Sequence, residues 1–182
     1  MKKSIEQILR NNPNELVGLS ELFEELVGIK SLEDKQRLIK IFINSKKSNE
    51  QLLKNYIQSV YHPLIVLNLP NEVPPYKKDN YEDYDLAVIQ MYKALDRVKH
   101  FVSGIPGYIE NKLKREEIFI RTLEELYKKD AELYSYILLK EINQEKFPGI
   151  NDSLFMEIYP EWFPADYSEK KLHKETKEDL TS

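Results

Sequence analysis

The chain is 182 residues long, carries 27 basic and 31 acidic side chains for a net charge of −4, and has no cysteine. That length gives one domain with a real core and no comfortable room for two. The missing thiols exclude disulfides, thiolate nucleophiles and zinc–thiolate sites together, and no apolar run approaches the roughly eighteen residues of a membrane span.

Glycine is scarce and the nine prolines are clustered, so the pattern predicts helices punctuated by breaks. Met1-Lys2-Lys3-Ser4-Ile5-Glu6 leads into a polar helix rather than an apolar signal core, so a cytoplasmic protein is expected. Ile5, Ile8 and Leu9 give a first short helix, stopped at Asn11-Asn12-Pro13. Leu19 to Val27 gives a second, with Leu22, Phe23, Leu26 and Val27 on one face and Gly28 as the stop. Ser31 is the N-cap of a third, with Glu33 and Asp34 in its first turn and Leu38, Ile39, Phe42 and Ile43 as its apolar face. Ser48-Asn49-Glu50-Gln51 has capping-box spacing for a fourth, which carries Leu52, Leu53, Tyr56, Ile57 and Val60.

The helical pattern breaks at His62-Pro63. Leu64-Ile65-Val66-Leu67 reads either as extended chain or as a buried turn, and Asn71 to Asn80, with Pro74-Pro75 and no periodicity, as a surface loop. A fifth helix is expected to start near Asp83, to carry Leu86, Ile89, Met91, Leu95, Val98 and Val102, and to end at Gly104-Ile105-Pro106-Gly107. Lys112 to Lys129 is expected as one long amphipathic segment that turns at Asp130 into a second, Ala131 to Glu141. A Phe147-Pro148-Gly149-Ile150 break then leads into a short helix that stops at Tyr159-Pro160-Glu161-Trp162-Phe163-Pro164. The rest, Ala165 to Ser182, is charged, poor in aromatics and expected to be disordered. The predicted fold is all-α: a single multi-helix domain over 1–164, of about seven or eight helices with a Pro-rich irregular segment, followed by the tail 165–182.

Chemistry-bearing patterns are few. His62, His100 and His173 lie far apart and fit no metal-ligand spacing. The acidic cluster Asp79, Glu82, Asp83 and Asp85 lacks the central glycine and closing glutamate of a calcium loop, and reads as a dipole-matched helix start. The five glycines match neither nucleotide-binding pattern, and there is no Gly-x-Ser-x-Gly elbow. No catalytic residue, cofactor or metal ligand is assigned, and a non-enzyme is expected. Trp162-Phe163, bracketed by prolines and flanked by Glu157 and Glu161, reads as a packing clasp rather than a base-stacking platform.

Basic residues offer one candidate surface. Lys93, Arg97 and His100 recur at helical spacing on the fifth helix, and Lys112, Lys114 and Arg115 open the sixth. The Ser103–Gly107 turn between them is expected to bring both groups together as a phosphate-contacting patch at a helix N-terminus. The same region also reads as a solvated face, because Glu117 with Arg121, Glu124 with Lys128 and Glu125 with Lys129 have i,i+4 spacing. The acidic total argues against an indiscriminate nucleic-acid binder, while phosphate contacts require only local basic patches.

Ser48 to Leu69, the Pro74-Pro75-Tyr76 loop, Lys114-Arg115-Glu116-Glu117-Ile118-Phe119 with Leu123-Glu124-Glu125-Leu126, and Phe147-Pro148-Gly149-Ile150 together resemble an uncharacterised protein family of tailed phages related to the large myoviruses. More distantly, the region 48–164 is similar to the N-terminal all-helical DNA-binding domain of phage ATP-dependent DNA ligases. The shared order is early helices, an irregular segment with proline, a long helix, a turn, a second helix, and a Pro-Gly-Ile break. That resemblance implies contact with duplex backbone across the minor groove through Lys112, Lys114 and Arg115. The adenylation signature Lys-x-Asp-Gly is absent from the chain, so ligation is not implied. Two functions are therefore expected: a non-catalytic phage accessory protein that binds duplex DNA backbone without base readout, or a protein–protein adaptor or inhibitor acting on a phage or host nucleic-acid enzyme or defence factor. An acidic surface can mimic DNA to a basic partner.

Overall fold

The computed structural model describes residues 4–11, 18–78, 86–171 and 174–175. In chain order they form α1 (Ile5–Asn11), α2 (Leu19–Val27), α3 (Leu32–Ser45), α4 (Asn49–Tyr61), α5 (Met91–Asp96) running into a 3-10 turn (Arg97–His100), α6 (Lys112–Glu125), α7 (Lys128–Leu139), and α8 (Asp152–Ile158) followed by a 3-10 turn (Pro160–Trp162). No strand occurs among the described residues. No helix among them is long and apolar enough to cross a membrane.

The centre of the molecule is the pair α4 and α7. α4 packs on α3, α5, α7 and α8, while α7 also touches α2, α5 and α6. α7 can be central because it is apolar on nearly every side: Ala131, Leu133, Tyr134, Tyr136, Ile137 and Leu138 are all buried. Tyr56 from α4 crosses to it and donates its hydroxyl to the Leu133 carbonyl at 2.7 Å. Aromatic rings fill the space around this contact. Phe23 meets Tyr56 edge-on at 5.6 Å and Phe147 at 6.0 Å, and Phe119 bridges Phe101 at 5.6 Å to Tyr134 at 5.7 Å. Each such ring removed from water contributes on the order of 1.5–3 kcal/mol.

Several expected elements hold at their boundaries for local reasons. Ser31 accepts the Asp34 amide at 3.4 Å and starts α3, and Leu38, Ile39 and Phe42 are buried along it. The Phe-Pro-Gly-Ile break ends in Asn151, which caps α8 through the Leu154 amide at 3.1 Å. Trp162 is 3% exposed, stacked on Tyr159 with ring centroids 4.1 Å apart and on Phe155 at 6.4 Å, so the clasp is core.

Four details differ from expectation. The segment 112–129 is not one helix turning at Asp130. Leu126 and Tyr127 adopt extended backbone, which buries both side chains, and Asp130 falls in the first turn of the new helix α7. The expected capping box at Ser48 does not form, because Ser48 is already helical in backbone. Asn49 instead turns back to the end of α3, donating to the Phe42 carbonyl at 2.9 Å and to Ser45 Oγ at 3.0 Å. The fifth helix begins at Met91. Its expected start near Asp83 lies outside the described residues, and Ile89 spends its amide on the Glu125 carbonyl at 3.2 Å, leaving Leu86 and Val88 exposed. Finally, a turn from His62 closes at Ile65, Val66 and Leu67 follow without regular structure, and the run is not buried as a unit: Leu67 is inside, whereas Leu64 is 79% and Val66 58% exposed.

The expected loop 71–80 is described through residue 78 and is irregular there. Past Pro164 the described chain continues as a helical stretch over 167–171. It is fastened to α8 by Asp152, which accepts the Tyr167 hydroxyl at 2.9 Å and pairs with Lys171 at 2.8 Å. The packed unit therefore reaches Lys171, beyond the expected edge at Pro164.

Candidate nucleic-acid interface

The turn after α5 folds back on itself. Ile109 donates its amide to the His100 carbonyl at 3.1 Å, and His100 Nδ1 lies 2.9 Å from the Gly107 carbonyl, to which it donates. The basic side chains on either side of the turn are only partly available. Arg97 reaches Glu125 Oε2 at 2.7 Å and Thr122 Oγ1 at 3.0 Å, tying the 3-10 turn to the end of α6.

Arg115 is a correction to the expected patch, because it is 5% exposed. Its guanidinium donates to three backbone carbonyls, Asn68 at 3.0 Å, Ile109 at 2.7 Å and Glu110 at 2.8 Å. It also lies 5.1 Å from the Tyr108 ring centroid, and Tyr108 in turn accepts from Asn68 at 2.6 Å. A planar fork with fixed donors suits this bracket, which clamps the loop after α4 to the entry of α6. No face of it is left for a phosphate. Asn111 also uses the Lys114 amide, at 2.9 Å, as a helix cap. Of the six expected contacts, Lys93, Lys112 and Lys114 remain exposed, with Lys112 3.8 Å from Glu116.

The ion pairs of α6 follow tertiary structure more than sequence spacing. Glu117 and Arg121 pair at 2.9 Å as expected. Glu125 instead holds Arg97, Glu124 accepts the Lys77 amide at 3.2 Å, and Lys129 pairs with Glu24 at 2.7 Å. The helix break at Leu126-Tyr127 is the reason, since it destroys the i,i+4 register of those two pairs.

A second basic region, not singled out in the sequence, lies at the start of α7. Lys77 and Lys78 from the loop after α4, Lys128 and Lys129 from α7, and Lys146 from the segment before α8 surround a hollow of about 550 Å³. Val73, Tyr76, Leu123 and Tyr136 contribute apolar surface to it. Two of the five lysines are partly neutralised: Lys129 by Glu24, and Lys146 by Glu132, which also accepts the Tyr136 hydroxyl at 2.9 Å. Among the described residues no carboxylate forms an ion pair with Lys77, Lys78 or Lys128. The sequence signal was present as two Lys-Lys doublets at element boundaries, but fifty residues of chain separate them and no periodicity links them.

No protein-family model, curated protein or solved structure matches the chain. Function then rests on the chemistry of these surfaces.

A larger open groove of about 1510 Å³ runs between α4 and α5, and Lys93, Arg97 and His100 line it together with Gln51, Asn55, Leu64, Tyr92 and Ile105. Among the described residues no group of three His, Asp or Glu is placed to hold a metal ion. The acidic cluster Asp79, Glu82, Asp83 and Asp85 and the histidine His173 lie outside the described residues.

Two buried ionisable groups lie elsewhere. Asp130 is fully buried, and burial pushes its carboxyl up to about 6; Ser20 opposes that shift, yet no described donor completes a hydrogen bond to either oxygen. Lys140 ends α7 in the left-handed region at φ 59 and donates to the carbonyls of Ser59 at 3.2 Å, His62 at 3.0 Å and Ile65 at 2.6 Å. Burial, with Lys174 adding to it, pushes its amine down to about 8. The three carbonyls belong to the end of α4 and the turn beyond it, so this ammonium serves as a tertiary C-cap rather than as a reactive amine.

Proposed function

We propose that the protein is a non-catalytic accessory protein of a tailed phage that holds the backbone of duplex DNA without reading its bases. The observation that carries this reading is the convergence of Lys77, Lys78, Lys128, Lys129 and Lys146 on one hollow of a molecule whose net charge is −4. Lysines on flexible stems supply positive charge to phosphates without the fixed two-point geometry that distinguishes base edges. The one amide in the hollow, Asn143, already uses its oxygen on the Glu145 and Lys146 amides at 2.9 and 3.1 Å. The resemblance of 48–164 to the helical domain of phage ligases supports the same reading. The exposed pair Lys112 and Lys114 provides further phosphate contacts at the other end of α6.

A gel shift on nicked and intact duplex at low salt tests the proposal. Binding is expected to weaken steeply with salt. Changing Lys77, Lys78 and Lys128 to Gln together should flatten the log–log slope by up to about 2.7, at roughly 0.9 for each phosphate no longer neutralised. The absence of any shift at micromolar protein would sink the reading, and an unchanged slope in the triple variant would remove the hollow from it. Lys112→Gln with Lys114→Gln, measured alongside, separates the entry of α6 from the hollow.

A further inference from the structure

We propose that the groove between α4 and α5 docks an acidic amphipathic helix of a partner protein. The inference goes beyond the DNA reading, stands on different residues and does not depend on it.

The two walls of the groove differ in chemistry. α4 contributes an uncharged polar stripe in which Gln51 Nε2 and Asn55 Oδ1 face each other at 2.5 Å. From the other side come Tyr92, which is 56% exposed, and the exposed Lys93, with Lys46 also on the lining. The groove's single lining carboxylate, Asp96, is taken by Lys99 at 2.9 Å. Among the described residues neither Lys46 nor Lys93 has a carboxylate partner, and Lys93 Nζ lies 5.9 Å from the Tyr92 ring centroid. Leu64 and Ile105 also line it, 79% and 42% exposed. Exposed apolar side chains rimmed by polar and cationic ones mark a protein-binding surface.

Charge and apolar content select the occupant: Lys46 and Lys93 stand on the lining beside Leu64, Tyr92 and Ile105. Apolar residues at i, i+3, i+4 and i+7 of an amphipathic helix would meet Leu64, Ile105 and Tyr92, and flanking carboxylates would meet Lys46 and Lys93. A DNA backbone would gain nothing from Leu64 or Ile105. A second copy of this chain fits poorly, because Leu113 and Leu139, the exposed leucines of its own helices, sit beside Lys112, Lys114 and Lys140. The adaptor reading of the sequence thereby acquires a partner chemistry.

Panning a random peptide display library on the intact protein tests this, with a Leu64→Asp/Ile105→Asp double variant as the counter-target. Both positions are exposed, and a thermal melt of the variant confirms that it remains folded. The expected result is enrichment of peptides with helical apolar spacing and excess Asp or Glu. As synthetic peptides they should bind at least tenfold more weakly to the double variant and to Lys46→Glu/Lys93→Glu. Enrichment of basic peptides, equal binding to the variants, or no enrichment above input overturns the proposal. So does a wild-type dimer that Leu64→Asp/Ile105→Asp dissociates, which would make a second copy the occupant. Loss of DNA binding in the same variant would make the groove a nucleic-acid surface and equally overturn it. DNA binding that depends on Lys77, Lys78 and Lys128 stands or falls in the gel shift alone.

Discussion

Asp130 and Arg115 show how differently two buried charges can be accommodated. Arg115 meets three carbonyl oxygens and an aromatic face, so its charge is matched at the moment of burial. Asp130 lies in the first turn of α7 with neither oxygen hydrogen-bonded among the described residues, and burial holds its carboxyl up at about 6 against 3.8 in an ordinary setting. The fold therefore binds this proton more tightly than the unfolded chain does. Its stabilising contribution is complete below about pH 4 and is lost as pH rises through 6, a change of roughly 3 kcal/mol. Urea denaturation of Asp130→Asn should show that this part of the pH dependence between 4 and 7 has gone; a variant with the wild-type slope would place the titrating group elsewhere. Such matching is invisible in sequence. Arg115 reads as a surface cation because it stands between Lys114 and Glu116, and only the loop of Asn68, brought across by the fold, turns it inward.

Helices whose ends are set locally could be read from the chain, and those whose ends are set by distant partners could not. α2 and α3 follow from apolar spacing and from Ser31, and the short helix after Phe147-Pro148-Gly149-Ile150 from the break itself, to which the structure adds the Asn151 cap. The break between α6 and α7 leaves no such mark. Leu126 and Tyr127 fit the period of a continuous helix, yet extended backbone at both positions buries both side chains. The clasp at the end of the domain is the opposite case, since Pro160 and Pro164 bracket its aromatic pair. Trp162 ties three pieces together: it stacks on Tyr159 and Phe155, and its carbonyl accepts from Gln58 of α4 at 2.9 Å. Trp162→Ala should cost about 3–5 kcal/mol, read by chemical denaturation. A loss below about 1 kcal/mol would mean that α8 docks through Leu154 and Phe155 alone.

At the scale of the molecule, acidic composition coexists with two positively charged recesses. The all-α class and the single domain were legible because helical periodicity and caps recur along the chain. The recesses were only half legible. Lys93, Lys112 and Lys114 stand out in the chain and are exposed, whereas Lys77, Lys78, Lys128, Lys129 and Lys146 meet only after α6, α7 and the Pro-rich loop have packed. Gln58, which holds the Trp162 carbonyl, also lines the groove between α4 and α5. Trp162 is the chain's single tryptophan, so the molecule carries its own optical reporter. A helix seated in the groove would compete for the Gln58 amide and alter the emission of the indole stacked on Tyr159. Duplex DNA held at the lysine hollow should leave that emission unchanged, so one fluorescence titration with each ligand would tell the two recesses apart.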